Sequence, residues 1–323
     1  MDMTIKTLKN ISKLAAAIVA ILVFTGCDKV EQPIKPAILL DTTLYPGNWQ
    51  EYVDLYWPVF TQNANTDRNI LLEDYTGHKC PNCPDAAYEA KMIESSNPDR
   101  VFVASIHASP TGLGNFQTVA TDCGTVTNPQ NEFCTQLYCD EGITLGTAFG
   151  NGGTTVQFIG NPQGTINRIT FSGSTMFQFK TEWAARVNEV ISNNDLKVNI
   201  QAESNYYTET NGFYLHTEIE FLEDLTGDYN TVVYLLENQV EATQDSMTVI
   251  IEDYEHHSVF RGCLDGLAWG QPISGDHTAG QKSYFDYSYQ LPSGQNNTEF
   301  HLLIYVYDTN TYEILQVIKH ELN

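Results

Sequence analysis

Residues 69–84, NILLEDYTGHKCPNCP, constrain this chain more than any other segment. The run at 69–75 is apolar enough for a strand in a sheet interior. Cys80 and Cys83 follow with CxxC spacing, and residues 84–94 are rich in helix formers, with Ala87, Met92 and Ile93 on one stripe. Asn97-Pro98-Asp99 stops that helix, and residues 100–107, RVFVASIH, read as a second buried strand. A CxxC between a strand and a helix is a working redox site, a metal knuckle or a structural disulfide. At a helix start the first sulfur meets unpaired N–H groups and the positive end of the dipole, which favour its thiolate. The second sulfur, one turn inward, is placed to resolve a mixed disulfide. Cys80 is therefore expected exposed and nucleophilic, capping a helix that begins near Pro81, with Cys83 buried and resolving. Lys79 and His78 are candidate positive neighbours.

The compartment narrows these readings. Lys6, Lys9 and Lys13 precede an apolar run at 14–24, and FTGC ends at Cys27, which reads as an export signal with a lipid-attachment cysteine. Phe24 stands where such signals usually carry Leu. The expected processing removes 1–26 and lipidates Cys27, giving an envelope lipoprotein held through its anchor. Net charge is −24, which disfavours nucleic acid as a partner. Of seven cysteines, six remain after Cys27, an even number in an exported chain, and this favours disulfides over zinc. Cys123, Cys134, Cys139 and Cys263 are candidates for structural bridges, with at least one bridge expected in the insertion described below. A zinc site built from them with His256 or His257 is the lesser reading, and neither metal nor cofactor is expected.

Residues 27–56 hold Pro33, Pro36 and Pro46 with little periodicity and read as a tether. A polar segment at 108–161 carries three cysteines and reads as an insertion. Short strands surround Pro162, and residues 177–192 give a second helix, with Phe179, Trp183, Val187 and Val190 at three- and four-residue steps. After Leu196 the period changes to two: Phe213, Leu215, Thr217, Ile219 and Phe221 share one face, as do Phe300, Leu302, Ile304 and Val306. About seven or eight strands without a long helix argue for an antiparallel, immunoglobulin- or fibronectin-like β-sandwich over 196–323. The aromatic run SYFDYSYQL reads as a half-buried strand rather than a ligand face, and GNGG at 150–153 lacks the strand, helix and lysine of a phosphate cradle.

The first part, 57–195, resembles thioredoxins in its order of strand, CxxC, helix, strand, hairpin and helix. Asp74 stands six residues before Cys80 where thioredoxins keep a buried acid, and Pro162 stands before a strand where they place a cis-proline facing the dithiol. The resemblance implies catalytic roles for Cys80, Cys83, Asp74 and Pro162. Pro81-Asn82 replaces the thioredoxin Gly-Pro, which points toward oxidase or isomerase chemistry. From residue 70 onward the chain more closely resembles the 28-kilodalton outer-membrane-protein-related family, exported lipoproteins of Bacteroidetes-type envelopes. The match is carried by Glu73, Thr76, Gly77, Cys80, Asn82, Cys83 and Pro84, by Gly160, Pro162, Asn167 and Arg168, and by YEHHSVFRG at 254–262. Ser258 stands where that family is expected to carry a second histidine. The family implies an envelope address and no defined activity. Two function classes follow: a thiol–disulfide oxidoreductase acting on exported proteins, or a non-catalytic surface binding or adhesion protein whose CxxC is a fixed bridge.

Overall fold

All seven side chains of β1 (Ile70–Thr76) are buried, so both faces of this strand need cover. Successive side chains alternate between faces. Ile70 and Leu72 pack with Ala86, Ala90 and Ile93 of helix α2 (Cys83–Ser96) and with Trp183 and Val187 of a later helix. Leu71 and Tyr75 enter a second core on the opposite face. The computed structural model describes residues 40–247 and 249–323. The expected signal segment 1–26, the lipidated Cys27 and the start of the tether lie outside the described residues.

In chain order the described elements are α1 (Trp49–Leu55), β1, α2, β2 (Val101–His107), α3 (Asp140–Gly150), β3 (Gln163–Ile166), β4 (Phe177–Gln178) and α4 (Lys180–Asn193). Eight strands follow: β5 (Val198–Tyr207), β6 (Gly212–Phe221), β7 (Tyr229–Ser246), β8 (Val249–Cys263), β9 (Gln271–Pro272), β10 (Lys282–Gln290), β11 (Phe300–Asp308) and β12 (Ile314–Glu321). Strands β1 and β2 run parallel with α2 as their crossover, and β3 returns antiparallel along β1. The sheet order is β12-β11-β7-β8-β2-β1-β3-β4, with β9 on β7, and β10-β6-β5 form a separate three-stranded sheet.

The expected boundary near residue 195 coincides with the end of α4, but it does not divide the fold. Residues 40–323 form one compact unit, and the nine-stranded sheet crosses from one half to the other where Ser105 of β2 pairs with Val259 of β8. Pairing with β8 covers the edge that β2 would otherwise leave open. The core on the Tyr75 face likewise draws on both halves, from Leu71 and Ile106 to Tyr234, Phe260 and Tyr305. The free-standing immunoglobulin-like sandwich is thus replaced by a shared sheet on which β10-β6-β5 pack. Phe213, Leu215, Ile219 and Phe221 meet Leu302, Ile304 and Val306 there, each in the alternation read from sequence. In β10 only Tyr287 is fully buried, as a half-buried strand requires.

Two segments are more ordered than their composition suggests. The tether ends before residue 40–45 rather than at 56, because Leu44, Tyr45 and Tyr52 pack on Tyr214, and Tyr52 Oη bonds His216 Nε2 at 2.7 Å. The insertion contains α3, whose Leu145 and Phe149 enter the core beside Tyr75.

A buried disulfide as candidate functional site

Strand β1 delivers the chain into the turn Gly77–Asn82. Gly77 leaves no space for a side chain, since a Cβ there would lie 2.7 Å from Phe116 O and Gln117 Nε2. Helix α2 starts at Cys83, with Pro84 in its first turn, where a missing N–H costs nothing. Cys80 and Cys83 form a disulfide with Cα atoms 5.4 Å apart. Cys80 therefore precedes the helix and does not cap it. It is also not exposed: both cysteines are 1% accessible.

Two segments cover them. From the insertion, Phe116 O accepts from Lys79 N (3.0 Å) and Gln117 Nε2 donates to Thr76 O (2.7 Å). From β7, Gln244 Nε2 donates to Cys80 O (3.1 Å) and Asp245 N to His78 O (2.8 Å). Lys79 reaches away to the Phe133 ring, 5.5 Å from its centroid. Burial lowers the His78 pKa, so it supplies no charge at neutral pH. The two positive neighbours expected from sequence do not gather at Cys80.

Asp74 sits on the α2 face of β1, since it alternates with Leu72, and lines a cavity of about 840 Å³ together with Cys83. Its carboxyl is 1% exposed and neither oxygen has a hydrogen-bond partner. Desolvation raises its pKa to about 7. Two histidines line the same cavity. His107, at the end of β2 and paired with Thr76, has both ring nitrogens unpartnered, and His256 of β8 has Nε2 unpartnered. Their ring centroids are 5.5 Å apart. Burial lowers both pKa values, that of His256 to about 3. Sequence reading missed His107, although a histidine ending an apolar strand one residue in register from the CxxC strand was a usable signal. It flagged His256 and His257 only for zinc.

The Asn161–Pro162 peptide is cis, and Pro162 shares a second cavity, about 740 Å³, with Asn82 and Asp85. Asn161 Nδ2 ties this turn to Tyr75 O (2.9 Å) and Ala108 O (2.8 Å). Pro162 thus stands beside the turn between the cysteines, while the cavity at Cys83 is lined by β7 and β8 instead.

Glu73 and Arg168, far apart in sequence, meet on the other face of the sheet. Arg168 Nε donates to Glu73 Oε2 (2.8 Å) and Nη2 to Oε1 (2.6 Å), with both side chains fully buried. Thr165 Oγ1 and Tyr234 Oη also donate to this carboxylate. The Arg168 guanidinium faces the rings of Phe149, Tyr305 and Tyr307 at 5.2–5.7 Å. Asn167, at φ 47°, accepts from Leu71 N (2.7 Å) and donates to Asn69 O (3.0 Å). These residues build the frame of the site.

Among the remaining cysteines, Cys123 and Cys134 form a second disulfide inside the insertion, while Cys139 and Cys263 are free. Burial pushes the Cys139 thiol up to about 12 and the Cys263 thiol well above its ordinary value, so both are poor nucleophiles. Among the described residues no group of three or more His, Cys, Asp or Glu side chains stands ready to hold a metal.

A mixed sheet that begins with a strand, a buried CxxC and a crossover helix, and continues into an antiparallel layer, defines a mostly-β protein with a sequestered disulfide. Residues 154–323 match the family described as outer membrane protein Omp28, so the chain belongs to that family. No curated protein matches it. Its fold is similar to that of HBP35 of Porphyromonas gingivalis (TM-score 0.58, 14% identity, 80% of this chain and 77% of that one). It is also similar to a protein of Agrobacterium tumefaciens (TM-score 0.51, 11% identity, 80% and 97%). A domain of the outer membrane lipoprotein Omp28 from Porphyromonas gingivalis matches at 25% identity over 40% of this chain and 89% of that one, with a TM-score of 0.27. The family places the chain at the outer membrane. No helix among the described residues is long and apolar enough to cross a membrane.

Proposed function

We propose that residues 57–195 form a thioredoxin-like unit whose Cys80–Cys83 pair exchanges disulfides with exported proteins, on a chain anchored through lipid at Cys27. The observation that carries this reading is Asp74. A buried carboxyl without a single partner destabilises the fold, and a bridge that only closes a loop has no use for it. A carboxyl titrating near neutrality beside Cys83 has the proton affinity that thiol exchange needs. In the oxidising direction a substrate thiolate attacks Cys80 Sγ and breaks the Cys80–Cys83 bond. Cys83 leaves as a thiolate and takes the proton of Asp74. A second substrate thiol gives its proton to the Asp74 carboxylate and attacks the substrate sulfur of the mixed disulfide, so that Cys80 leaves as a thiolate and is protonated by solvent. The substrate leaves oxidised with a new S–S bond, and the pair is left as two thiols. Access to Cys80 requires Gln244 to release Cys80 O and Asp245 to release His78 O.

The burial of both sulfurs favours the second reading, a non-catalytic envelope binding protein with a fixed bridge. A trapping experiment separates the two. With Cys83→Ala, a disulfide substrate should accumulate as a mixed disulfide on Cys80, while Cys80→Ala traps little. A wild-type pair that resists mild dithiol, with no adduct in either variant, makes the bridge structural.

A further inference from the structure

We propose that opening the Cys80–Cys83 bond completes a site for one soft monovalent cation, Cu(I), held by Cys83 Sγ, His107 and His256. The inference rests on the pair being reducible, as in the function proposed above, but not on its turning over substrates. It starts from polar atoms with nothing to bind. His107 is 2% exposed with neither ring nitrogen partnered, and His256 is 6% exposed with Nε2 free. Unsatisfied buried imidazoles cost free energy, and two of them facing one cavity call for a common ligand.

The spacing suits a metal. With metal–nitrogen bonds of about 2.0 Å, two imidazoles on one tetrahedral or trigonal ion have ring centroids roughly 5–5.5 Å apart. The observed separation is 5.5 Å, with the ring planes inclined by 63°. Burial keeps both rings neutral at pH 7, the form that coordinates. Cys83 lines the same cavity, but in the disulfide its sulfur is no thiolate donor.

A dithiol supplies two electrons and two protons to the S–S bond; a phosphine supplies the two electrons and becomes its oxide while water supplies the two protons, and either way two thiols result. Cu(I) then displaces the Cys83 proton, which Asp74 in the same cavity can accept. Imidazole and thiolate together select soft d10 ions. Charge selects among these: one thiolate cancels Cu(I), so a centre of Cys83, His107 and His256 is neutral, whereas the same three donors would leave Zn(II) with a net positive charge.

The test uses the full chain, reduced anaerobically with a phosphine that is then removed, with thiols counted before metal is added. Cu(I) is titrated against a chromophoric Cu(I) chelator, with Zn(II) in a parallel arm. The reduced wild type should take up one Cu(I) on the order of 100-fold more tightly than the oxidised protein or the reduced His107→Leu/His256→Leu variant. Cys139 and Cys263 are present in every arm, and Cys123 and Cys134, opened by the same phosphine, in both reduced arms; together they set the background. X-ray absorption of the wild-type complex should show two nitrogens and one sulfur, a readout that stands even if the double variant does not fold. Equal affinity without the histidines, a sulfur-only shell, or preference for Zn(II) overturns the proposal while leaving the redox function standing. Peptide mapping that finds Cys80–Cys83 still bridged after reduction overturns both.

Discussion

Glu73 and Asp74 are neighbours on β1, equally buried and oppositely treated. Glu73 receives Arg168 twice, Thr165 and Tyr234, and every element of that face converges on it. Asp74, one residue on and facing α2, receives nothing. His107, which shares the Asp74 cavity, is equally bare. The carboxylate on one face of the strand is fully engaged, although Tyr75 Oη and Arg168 Nη1 on that face have no partner, while the carboxyl on the other face stays free in a cavity that Cys83 also lines. Satisfied groups hold a fold together, while unsatisfied ones at a cavity remain available for proton transfer or ligands. The two faces separate scaffold from site.

The sharpest way to break this contrast is to remove one partner on the satisfied face. Arg168→Met leaves the Glu73 carboxylate buried without its cation and should cost about 3–5 kcal/mol of unfolding free energy. Denaturant titration at pH 7 measures it. The double change Glu73→Gln with Arg168→Met should recover part of the loss, because no net charge is then stranded. If Arg168→Met alone costs as little as a surface change, Glu73 is no better satisfied than Asp74 and the contrast fails.

The bare face predicts the opposite sign. The Asp74 carboxyl binds its proton up to about pH 7 in the fold but only to its ordinary value near 3.8 when unfolded. Its contribution is therefore fully present below pH 4 and is lost as pH rises toward 7. The ceiling is about 4 kcal/mol, from roughly three pH units at 1.36 kcal/mol each. Asp74→Leu should flatten that fall, and the variant should be more stable than wild type at pH 8. Denaturation midpoints at pH 5 and pH 8 for the two proteins give the result. An unchanged pH dependence would mean that Asp74 is solvated or partnered in solution.

What was legible in the sequence follows the same division. Strand β1, helix α2, strand β2 and helix α4 were readable because apolar periodicity is local, and so was the alternation in β6 and β11. The shared sheet was not. It hangs on a single parallel pair, Ser105 with Val259, and no local pattern marks which edge a strand will meet. The candidate site divides likewise. Cys80 and Cys83 were singled out by their spacing and Asp74 and Pro162 by the resemblance to thioredoxins; in the structure Asp74 and Cys83 line one cavity and Pro162 another. Exposure of Cys80 was misread because its cover comes from Gln117 and Gln244, both remote in sequence and neither unusual in its own segment. Glu73 and Arg168 were each noted as motif residues, yet their pairing is a tertiary fact that one sequence leaves open.

Gln244 offers the smallest effect and the most direct probe of access. It is 2% exposed, follows an irregularity in the β7–β8 register at Ala242, and its amide donates to Cys80 O, to Gly77 O (3.4 Å) and to Asp245 O (2.8 Å). The β7–β8 arm stands off from α2 across the large cavity, so these bonds, with Asp245 N on His78 O, pin its end to the CxxC turn. Gln244→Ala removes the amide donor and leaves the Cys80 carbonyl with Cys83 N (3.1 Å) alone. One such bond is worth about 1 kcal/mol, so global stability should change little. Opening of the arm should become easier by the same amount. Reduction of Cys80–Cys83 by a small dithiol under native conditions, where reagent waits for opening, should then speed up about five- to tenfold. Reduction of Cys123–Cys134, which the arm does not pin, should keep its rate and serves as the internal control. Equal acceleration of both bridges would mean that the variant has loosened the whole fold. Acceleration of neither would mean that Gln244 does not govern access to the buried pair.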